Sequence, residues 1–428
     1  MLSGWYFPES VGGTEVYIKN LSKKLNDKNY EVQVAIPSLK KEYYYEDLKV
    51  NCYKPNSDNN VAVLRGLSPP DNLISFADLI KRVNPDIVHI HTLGTDSGNF
   101  HINIIKELSI PVVLTIHVPG VLCPRGSFLQ WGEVPCDRTL EVNKCSECLL
   151  NSRGIPKFLS KALVAIQRNE SKFLADKPKI GITFNTKKYI EDWFNNMKLS
   201  ISRVDHVVVV SEWLADTIKD NSIDYKALSI SKHGIAKSGD IKRLHKNTDN
   251  QKISLSYIGR FDHIKGLHLL IESFRNIRSD MVNLKIYGSA RTGDEKKYLE
   301  NIISKSKNDK RIFFEGEIND QNRDEIMNSI DVLIVPSICY ETGPLVVLEA
   351  FDYKIPVIGS NLGGISEKIE NNKTGLTFET GNVKSLQKNI QKIIDNPDLI
   401  ARLSSNINYK ITTDQVGNQM DELYRKYC

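Results

Sequence analysis

Short apolar runs alternate with helical patterns along nearly the whole chain, and no other feature limits the possible folds as strongly. The run "EVQVAIP" is typical of a buried strand, for example, and "NLISFADLIKRV" is typical of an amphipathic helix. This alternation indicates βαβ units, which form a parallel sheet covered by helices on both faces. The runs predicted to be strands are residues 31–37, 86–92, 111–117, 206–211, 252–259, 283–288, 311–316, 331–336 and 356–360.

The chain has 428 residues, which is too many for one ordinary hydrophobic core. A polar stretch rich in turn-forming residues, 237–251, separates two halves that both alternate strands and helices. We therefore expect an α/β protein with two Rossmann-like, doubly wound domains that face a central cleft. The N-terminal domain is predicted to span residues 1–236 and the C-terminal domain 250–407. A last helix, about 408–428, is expected to pack back on the N-terminal domain.

Composition excludes several classes of protein. The hydrophobic share of 40% and the charged share of 25% are ordinary for a globular protein. A net charge of +5 is slight, and no basic tract is typical of a nucleic-acid-binding arm, so no nucleic acid is expected as a partner. No apolar run is long enough to span a bilayer, and the start "MLSGWYFPES" lacks the features of a signal peptide. A cytoplasmic enzyme is the expectation. "LSGWYFP" is interpreted as a short first strand or as the end of a longer one.

Two glutamates, Glu341 and Glu349, flank the run "TGPLVVL" directly after the strand-like "DVLIVP". Gly343 and Pro344 predict a turn into a helix, because proline is tolerated at the first helical position. Glu341 then lies in a loop at the carboxyl end of a strand, where ligands bind in open α/β sheets. The two carboxylates could accept hydrogen bonds from a sugar and a ribose. Solvated glutamates on a loop and a helix surface are the alternative, and the spacing alone favours them.

Glycine-centred turns precede three predicted helices. They are "PESVGGTEVY" with Gly12 and Gly13, "GRFDHIKG" with Arg260 and Lys265, and "SNLGGISEKIE" with a glycine pair at residues 363–364. Glycine lets a phosphate approach the backbone, and the start of a helix offers free N–H groups. The chain has no Walker lysine loop, no G-x-G-x-x-G and no D-x-D triplet for a magnesium ion. No catalytic metal is therefore expected, since Arg260 and Lys265 can neutralise a diphosphate.

These motifs together resemble those of the family-4 retaining glycosyltransferases of GT-B fold. "PESVGGTE", "GRFDHIKG", the paired glutamates and "PVIGSNLGGISEKIENNKTGLTF" occur in the order of that family across nearly the whole chain. The resemblance implies transfer of a sugar, with retention of configuration, from a nucleotide-diphosphate donor, with UDP favoured over GDP. The donor would bind mainly to the C-terminal domain and the acceptor to the N-terminal domain. The acceptor would be a glycan, a lipid-linked sugar or a small molecule, as in polysaccharide or glycoconjugate biosynthesis.

The resemblance also implies which residues act. Glu341 would contact the donor sugar, and Glu349 would hold the ribose of the nucleotide. Arg260 and Lys265 would stabilise the departing diphosphate electrostatically. His117, which ends "VVLTIH", matches a histidine close to the reacting sugar carbon. The acceptor hydroxyl would attack from the front face, and the leaving phosphate would help to take its proton.

Further donor contacts follow from the same resemblance. Gly12 and Gly13 would let the N-terminal domain close on the diphosphate. Backbone groups near Ile318, in "EGEI", would contact and recognise the nucleotide base. The family often has E-x-F-G where this chain has "ETGP", and proline has no backbone N–H to offer. Phosphate contacts are therefore expected from Gly343 and Leu345.

Two other kinds of function stay open at this point. A phosphorylase or epimerase could use the same fold with similar donors. A non-catalytic sugar-nucleotide-binding subunit of a glycan-assembly complex is the other alternative. Such a subunit should have lost its phosphate or sugar contacts, whereas Arg260, Lys265, Glu341 and His117 are all present. The motifs therefore favour an enzyme.

Four of the seven cysteines lie in one insertion-like stretch directly after His117. Cys123, Cys136, Cys145 and Cys148 have the spacing C-x12-C-x8-C-x2-C, and the final C-x-x-C is a common element of zinc sites. Because cytosolic proteins seldom use disulfides, two interpretations remain. The cysteines hold a structural zinc ion, or they are four reduced thiols in an acceptor loop.

Residues 153–198 are rich in lysine, with interleaved phenylalanine, leucine and tryptophan. Such a segment could lie on an anionic membrane surface, which would place the protein peripherally at the inner face of a membrane. The simpler interpretation is an amphipathic helix packed on its own domain, and the pattern favours it. Membrane contact is the alternative.

Overall fold

The structure is a computed structural model that describes residues 1–10, 12–167, 182–235, 252–319 and 321–428. The chain divides into two compact units. The first comprises Met1–Trp131, Cys136–His233 and Thr413–Cys428, and the second comprises Gly132–Pro135 and Gly234–Thr412. The predicted linker, 237–251, lies outside the described residues.

Strands and helices alternate through the described residues. The strands are β1 (Gln33–Pro37), β2 (Tyr43–Tyr45), β3 (Leu48–Tyr53), β4 (Val88–Ile90), β5 (Val112–Ile116), β6 (Leu129–Gln130), β7 (Val134–Pro135), β8 (His206–Val209), β9 (Leu228–Ile230), β10 (Ile253–Ile258), β11 (Val282–Tyr287), β12 (Ile312–Gly316), β13 (Val332–Val335), β14 (Val357–Ser360) and β15 (Gly375–Phe378). The helices are α1 (Gly13–Asn26), α2 (Val61–Leu64), α3 (Leu73–Val83), α4 (Asn99–Glu107), α5 (Val142–Ser152), α6 (Lys157–Ile166), α7 (Thr186–Arg203), α8 (Glu212–Asp220), α9 (Leu267–Arg275), α10 (Gly293–Ser306), α11 (Arg323–Ser329), α12 (Leu345–Asp352), α13 (Gly363–Ser366), α14 (Val383–Asp395), α15 (Asp398–Asn406) and α16 (Thr413–Tyr424).

The sheet of the second unit is entirely parallel, in the order β12-β11-β10-β13-β14-β15. When its strands are numbered along the chain, this order becomes 3-2-1-4-5-6, which is the doubly wound arrangement of Rossmann folds. The winding reverses between β10 and β13. Ligands of such sheets bind at this switch point, outside the carboxyl ends of the strands.

Strand β13 is buried on both faces, as "DVLIVP" predicts. Successive side chains of a strand point to opposite faces of the sheet. Ile334 accordingly joins an apolar cluster with Phe274 from α9, whereas Leu333 joins another cluster with Val347 from α12. Helices therefore cover both faces of the sheet next to the switch point, and only the strand ends remain available to a ligand.

The sheet of the first unit consists of two hydrogen-bonded groups, β2-β3-β1 and β4-β5-β8-β9. Leu2 joins them through parallel bridges to Ala35 in β1 and Ile90 in β4. Its backbone N–H donates to the carbonyl oxygen of His89 at 2.8 Å. Residues 1–3 thus take the position of a short first strand, and the result is a second doubly wound sheet, with β2 antiparallel at its edge.

Each run predicted to be a strand contains one, with small shifts at its ends. The predicted α/β class with parallel, Rossmann-like sheets is therefore confirmed. Strands β2, β3, β6, β7, β9 and β15 were not predicted. They are short, or they mix polar and apolar residues as in "LKVNCY", so no continuous apolar run marks them.

The last helix, α16, packs against α1 within the first unit. Its Asp421 accepts a hydrogen bond from the Tyr30 hydroxyl at 2.8 Å and pairs with Lys28 at 3.2 Å. Among the described helices, none is both long enough and apolar enough to cross a membrane.

Candidate active site

The loops that follow β10 and β13 meet at the switch point of the second unit. Lys265 ends the 3-10 turn His263–Lys265 in the first loop, and Glu341 lies in the second. The Lys265 ammonium is 2.6 Å from a carboxylate oxygen of Glu341, and the Ser337 hydroxyl donates to the same oxygen at 2.8 Å. The exposed fraction is 25% for the Lys265 side chain and 16% for that of Glu341, so the pair is largely shielded from water.

This environment keeps both partners charged at neutral pH. Burial would raise the pKa of Glu341, but the Lys265 charge and the hydrogen bonds from Lys265 and Ser337 together hold that pKa below its usual value. Burial would lower the pKa of Lys265, but the Glu341 carboxylate holds it above its usual value. Ser337 was not among the predicted site residues, because no sequence motif marks it.

Two glycines let these loops approach neighbouring backbone closely. Gly266, which follows the 3-10 turn, has a φ of +72°, and a Cβ there would clash with the carbonyl oxygen of Pro336. A Cβ at Gly364 would lie 2.7 Å from the carbonyl oxygens of Glu341 and Thr342. Only glycine fits at these two positions without moving the loop that carries Glu341.

Arg260 lies in the same turn as Lys265 but is more open to solvent, with 53% of its side chain exposed. Its guanidinium is 3.4 Å from Glu295 and 3.9 Å from Asp262, and its charge contributes to the low pKa of Glu341. Lys265 contacts the Glu341 carboxylate directly, and the Arg260 charge acts on the same carboxylate from farther away. Glu295 was not predicted as a site residue; it forms a capping box with Thr292 at the start of α10, a pattern that marks a helix start and not a binding site.

Glu349 has a different partner from Glu341. It lies in the second turn of α12, and Arg323 from the start of α11 is 3.0 Å from its carboxylate. Burial raises the pKa of Glu349, and the Arg323 charge opposes this shift without cancelling it. The exposed fraction of the Glu349 side chain is 42%, so the carboxylate remains accessible. Arg323 was also missed by the sequence motifs.

The other donor contacts predicted in the second unit lie at the same edge of its sheet. Gly343 lies in the loop after β13, and α12 begins at Leu345. Pro344 directly precedes the helix and does not occupy its first position, which corrects the prediction from the sequence. Leu345 therefore offers a backbone N–H at the start of the helix. Ile318 is partly exposed in the loop that follows β12.

In the first unit, His117 follows β5 and is buried in a group of rings. Its Nε2 is 3.0 Å from Nδ1 of His91, and the ring of Tyr17 packs edge-on against it at a centroid distance of 4.7 Å. Burial holds the pKa of His117 well below 6.5, and neighbouring histidines add to this effect. His117 is therefore a neutral imidazole at pH 7, able to donate or accept a hydrogen bond but not to supply positive charge.

Gly12 and Gly13 lie at the start of α1, where the sequence predicts a phosphate contact. Gly12 precedes the helix in an extended conformation and Gly13 is its first residue. The buried side chain of Glu15 lies close to Gly12. A Cβ added at Gly12 would be 2.8 Å from Oε2 of Glu15. Ser10 donates a hydrogen bond to the same side chain. A side-chain carboxyl group thus occupies this helix start, and the phosphate contact stays a prediction.

The fold brings the four cysteines of the insertion together. Cys123, Cys136, Cys145 and Cys148 all line one cavity of about 20 Å³ in the first unit, which has room for one ion or water molecule. Burial raises the pKa of the Cys145 thiol to about 12, and the neighbouring Cys123 adds to this effect. In the described part of the chain, no group of three or more histidine, cysteine or acidic side chains is already arranged to hold a metal ion.

Two known sequence families match this chain. Residues 240–409 match the family described as "Glycosyl transferases group 1". Residues 11–157 match the family described as "Glycosyltransferase Family 4". The chain belongs to the family-4 glycosyltransferases of GT-B fold. The matches cover both halves of this glycosyltransferase. They include five residues predicted to act: His117, Arg260, Lys265, Glu341 and Glu349.

Several relatives and solved structures are similar to this glycosyltransferase, with low sequence identity. The capsular polysaccharide biosynthesis glycosyltransferase CapM of Staphylococcus aureus is 24% identical over 251 residues. That alignment covers 54% of this chain and 64% of the relative, which is less than two thirds of the relative's length. Sucrose-phosphate synthase from Thermosynechococcus elongatus is 17% identical, with a TM-score of 0.65, and covers 97% of this chain and 94% of its own.

Anabaena HepE, solved in complex with UDP-glucose, also has a similar fold. It is 16% identical, with a TM-score of 0.64, and covers 99% of this chain and 99% of its own. These solved structures are GT-B glycosyltransferases with two Rossmann-like domains, so they confirm the predicted fold.

Proposed function

We propose that the protein is a retaining glycosyltransferase, which moves a sugar from a nucleotide-diphosphate donor to an acceptor in polysaccharide or glycoconjugate biosynthesis. The observation that carries this proposal is the pair of Lys265 and Glu341 at the switch point of the second unit, 2.6 Å apart. The pair offers a fixed positive charge to a diphosphate and a fixed carboxylate to sugar hydroxyls. The similarity to HepE, solved with UDP-glucose, supports a UDP-sugar as the donor.

Catalysis in this proposal is mainly electrostatic. Lys265 and Arg260 stabilise the negative charge that develops on the departing diphosphate, and the first free N–H groups of α12 add to this effect. Glu341, held ionised by Lys265, accepts hydrogen bonds from the donor sugar. Glu349 accepts hydrogen bonds from the ribose, and Arg323 keeps its carboxylate in position. His117, as a neutral imidazole, contacts the sugar near the reacting carbon.

We also propose that the reaction needs no metal ion. The sequence has no D-x-D triplet. Lys265 and Arg260 supply two positive charges in one turn, which is the neutralisation that a magnesium ion would otherwise provide.

A donor panel tests this function. The protein is incubated with UDP-, GDP-, ADP- and dTDP-sugars, with and without EDTA, and release of the nucleoside diphosphate is measured. We expect release from a UDP-sugar that persists in EDTA, and a product with the anomeric configuration of the donor by proton NMR. Inversion of configuration would contradict the mechanism. Dependence on inorganic phosphate would indicate a phosphorylase, conversion of the donor sugar would indicate an epimerase, and donor binding without turnover would indicate a non-catalytic subunit.

The four cysteines are proposed to hold a structural zinc ion. Supporting this, they line one cavity of the size of an ion, and thiolates at such close quarters are stabilised by a cation. The side chains would have to turn towards the ion, since no three of them are yet arranged around a common centre. The ion would fix the insertion that follows His117 and take no part in the transfer.

A peripheral contact with an anionic lipid surface is proposed for α6. This helix packs on α5, and its Ser160 and Val164 are buried. Its opposite face is more apolar and points to solvent, with Phe158 69% exposed and Ile166 72% exposed. Surface helices normally bury the more apolar face, so this reversed orientation favours a lipid partner over simple packing on the domain.

Positive charge accompanies this apolar face. The described residues 151–167 and 182–190 contain five lysines and arginines and no acidic residue. The end of α6 is bonded to the next described segment, because Gln167 donates to the carbonyl oxygen of Thr183 at 3.0 Å and accepts from the Lys187 N–H at 3.1 Å. Phe184, which follows Thr183 directly, is 50% exposed. Residues 168–181 of the lysine-rich stretch lie outside the described residues.

A further inference from the structure

A cavity of about 120 Å³ opens at the carboxyl ends of β4 and β5 in the first unit. Its walls come from the loops after these strands, from the start of α4 and from one side of α7. Cavities on the order of 150 Å³ hold a single six-membered ring. The cavity lies at the same edge of the sheet as His117, since Gly120 and Val121, which line it, follow His117 by a few residues.

The lining of this cavity is uncharged. None of the described residues that line it is aspartate, glutamate, lysine or arginine. Leu93, Phe100 and Trp193 supply apolar walls, and His101, Asn196 and Ser200 supply polar groups. The charged side chains next to the cavity already neutralise one another, because the buried Asp192 pairs with Arg65 and Lys188, and Lys188 also pairs with Glu191. A ligand that carries a phosphate or a carboxylate would find no countercharge here.

The hydrogen-bonding state of His101 follows from its neighbours. The Asp96 carboxylate accepts a hydrogen bond from Nδ2 of Asn72 at 2.7 Å, which turns Oδ1 of Asn72 towards Nε2 of His101 at 3.1 Å. Because Asn72 Oδ1 can only accept, Nε2 of His101 carries the proton. Burial lowers the pKa of His101 to about 4, so the ring is neutral at pH 7 and its Nδ1 is an acceptor.

This Nδ1 has no hydrogen-bond partner among the residues that the structure describes. His101 is fully buried and lines the cavity, and in this part of the chain no group is hydrogen-bonded to its Nδ1 or to Oδ1 of Asn196. Buried polar atoms are rarely left unsatisfied, because each costs desolvation energy. Two hydrogen-bond acceptors in an uncharged cavity would be satisfied by a ligand with two hydrogen-bond donors, such as neighbouring hydroxyl groups on one ring.

We infer that this cavity binds an uncharged, hydroxyl-bearing sugar ring, which is the acceptor of the proposed glycosyl transfer. That the bound ring is the acceptor of the transfer rests on the proposed function. That the cavity binds such a ring rests on the cavity alone. Hydroxyls of the ring donate to His101 and Asn196, and Trp193 and Phe100 pack against its apolar faces. Acidic and phosphorylated sugars are excluded because their charge would be buried without a partner.

Direct binding to the full chain tests the inference without relying on turnover. Saturation-transfer NMR is recorded with neutral methyl glycosides and with glucuronate and glucose 6-phosphate as charged counterparts. We expect at least one neutral glycoside to bind and the charged sugars not to bind. Asn196→Leu, which keeps the side-chain shape and removes the acceptor, should weaken binding about tenfold. His101→Phe should do the same while retaining ring packing against Phe76.

His206→Phe is the matched control. His206 is also a buried histidine of the first unit, but both ring nitrogens have partners, Tyr427 and Ser229, and it does not line the cavity. This variant should bind glycosides like the wild type. The inference is overturned if no neutral glycoside binds, if charged sugars bind equally well, or if Asn196→Leu binds glycosides as the wild type does. The last result would mean that only water satisfies these two hydrogen-bond acceptors. Absence of nucleoside diphosphate release with glycoside binding intact would overturn the proposed function alone.

Discussion

Gly364 donates its backbone N–H to the carbonyl oxygen of Glu341 at 2.7 Å, so the start of α13 holds the loop that carries the central carboxylate of the site. We predict that Gly364→Ala displaces this loop, because the new Cβ would lie 2.7 Å from the carbonyl oxygens of Glu341 and Thr342. The expected cost is about 1–3 kcal/mol of unfolding free energy, with a large loss of nucleoside diphosphate release. Urea unfolding and the donor assay measure the two effects.

Gly293→Ala is the control for this variant. Gly293 begins α10, and a Cβ there would have no neighbour within 4 Å. Alanine favours a helix over glycine, so this variant should be as stable as the wild type or slightly more stable, with normal activity. If Gly364→Ala and Gly293→Ala were equally stable and equally active, the close approach of Gly364 to the Glu341 loop would not be needed for stability or activity.

The ion pair between Lys265 and Glu341 leads to a second prediction. Glu341→Gln should lower the rate of sugar transfer about 100-fold or more, because it removes a charge that acts on the transition state. It should also reduce the unfolding free energy by about 1–2 kcal/mol, since Lys265 loses its partner in a partly shielded position. Steady-state kinetics and chemical denaturation provide the two readouts.

Glu370→Gln is the matched control for Glu341→Gln. Glu370 also pairs with a lysine, Lys373, at 2.5 Å, but both side chains are more than half exposed. Its replacement should leave rate and stability nearly unchanged. Wild-type turnover by a folded Glu341→Gln protein would remove Glu341 from the mechanism.

The sequence predicted the fold more completely than the site. Apolar runs such as "DVLIVP" located the central strands because burial on both faces leaves an uninterrupted pattern, whereas "LKVNCY", which lies next to the edge strand β2 of the first sheet, mixes polar and apolar residues and leaves none. Glu341 and Lys265 were recognisable from motifs, but their direct pairing was not. Contacts such as Arg323 with Glu349 depend on how distant loops fold onto one sheet edge, and single-sequence patterns do not encode such distances.

The buried histidines of the first unit predict a specific pH dependence of stability. Burial holds the pKa values of His89, His91 and His117 well below 6.5. The unfolded chain therefore takes up protons below about pH 6.5 that the folded chain does not, and stability falls as the pH falls through this range. Each histidine contributes up to about 1.4 kcal/mol per pH unit.

Thermal unfolding between pH 7.5 and pH 5.5 measures this dependence, in a range where most carboxylates remain ionised. The midpoint should fall steadily as the pH is lowered. His91→Asn should be less stable at pH 7.5 but should show a shallower slope, because one of the titrating groups is gone. A midpoint that does not change across this range would contradict the prediction.

The proposed zinc site predicts about one zinc ion per chain in protein purified without a metal-affinity tag. Elemental analysis measures the metal, and thiol titration in the native state measures the free cysteines. Replacing Cys145 and Cys148 by serine should remove the zinc and impair use of the acceptor, while donor binding in the second unit persists. Active protein that contains no metal and has four freely reacting thiols in this insertion rules the site out.

The exposed face of α6 makes a prediction about lipid binding. Phe158 and Ile166 together place two large apolar side chains in solvent beside a basic segment, so the chain should sediment with vesicles that contain phosphatidylglycerol and not with neutral phosphatidylcholine vesicles. Binding should weaken strongly as salt is raised from about 0.1 to 1 M, because the Debye length shortens from about 10 to 3 Å.

Substitution of the same face gives the decisive comparison. Phe158→Glu with Ile166→Glu should abolish vesicle binding and leave donor turnover in solution unchanged. Ile74→Glu is the matched control, since Ile74 is 80% exposed on α3, away from the lysine-rich stretch, and this variant should bind vesicles like the wild type. Sedimentation of the double variant with the vesicles would exclude α6 as the lipid contact. A wild-type dimer that dissociates on the same double substitution, detected by light scattering, would instead assign this face to a second copy of the chain.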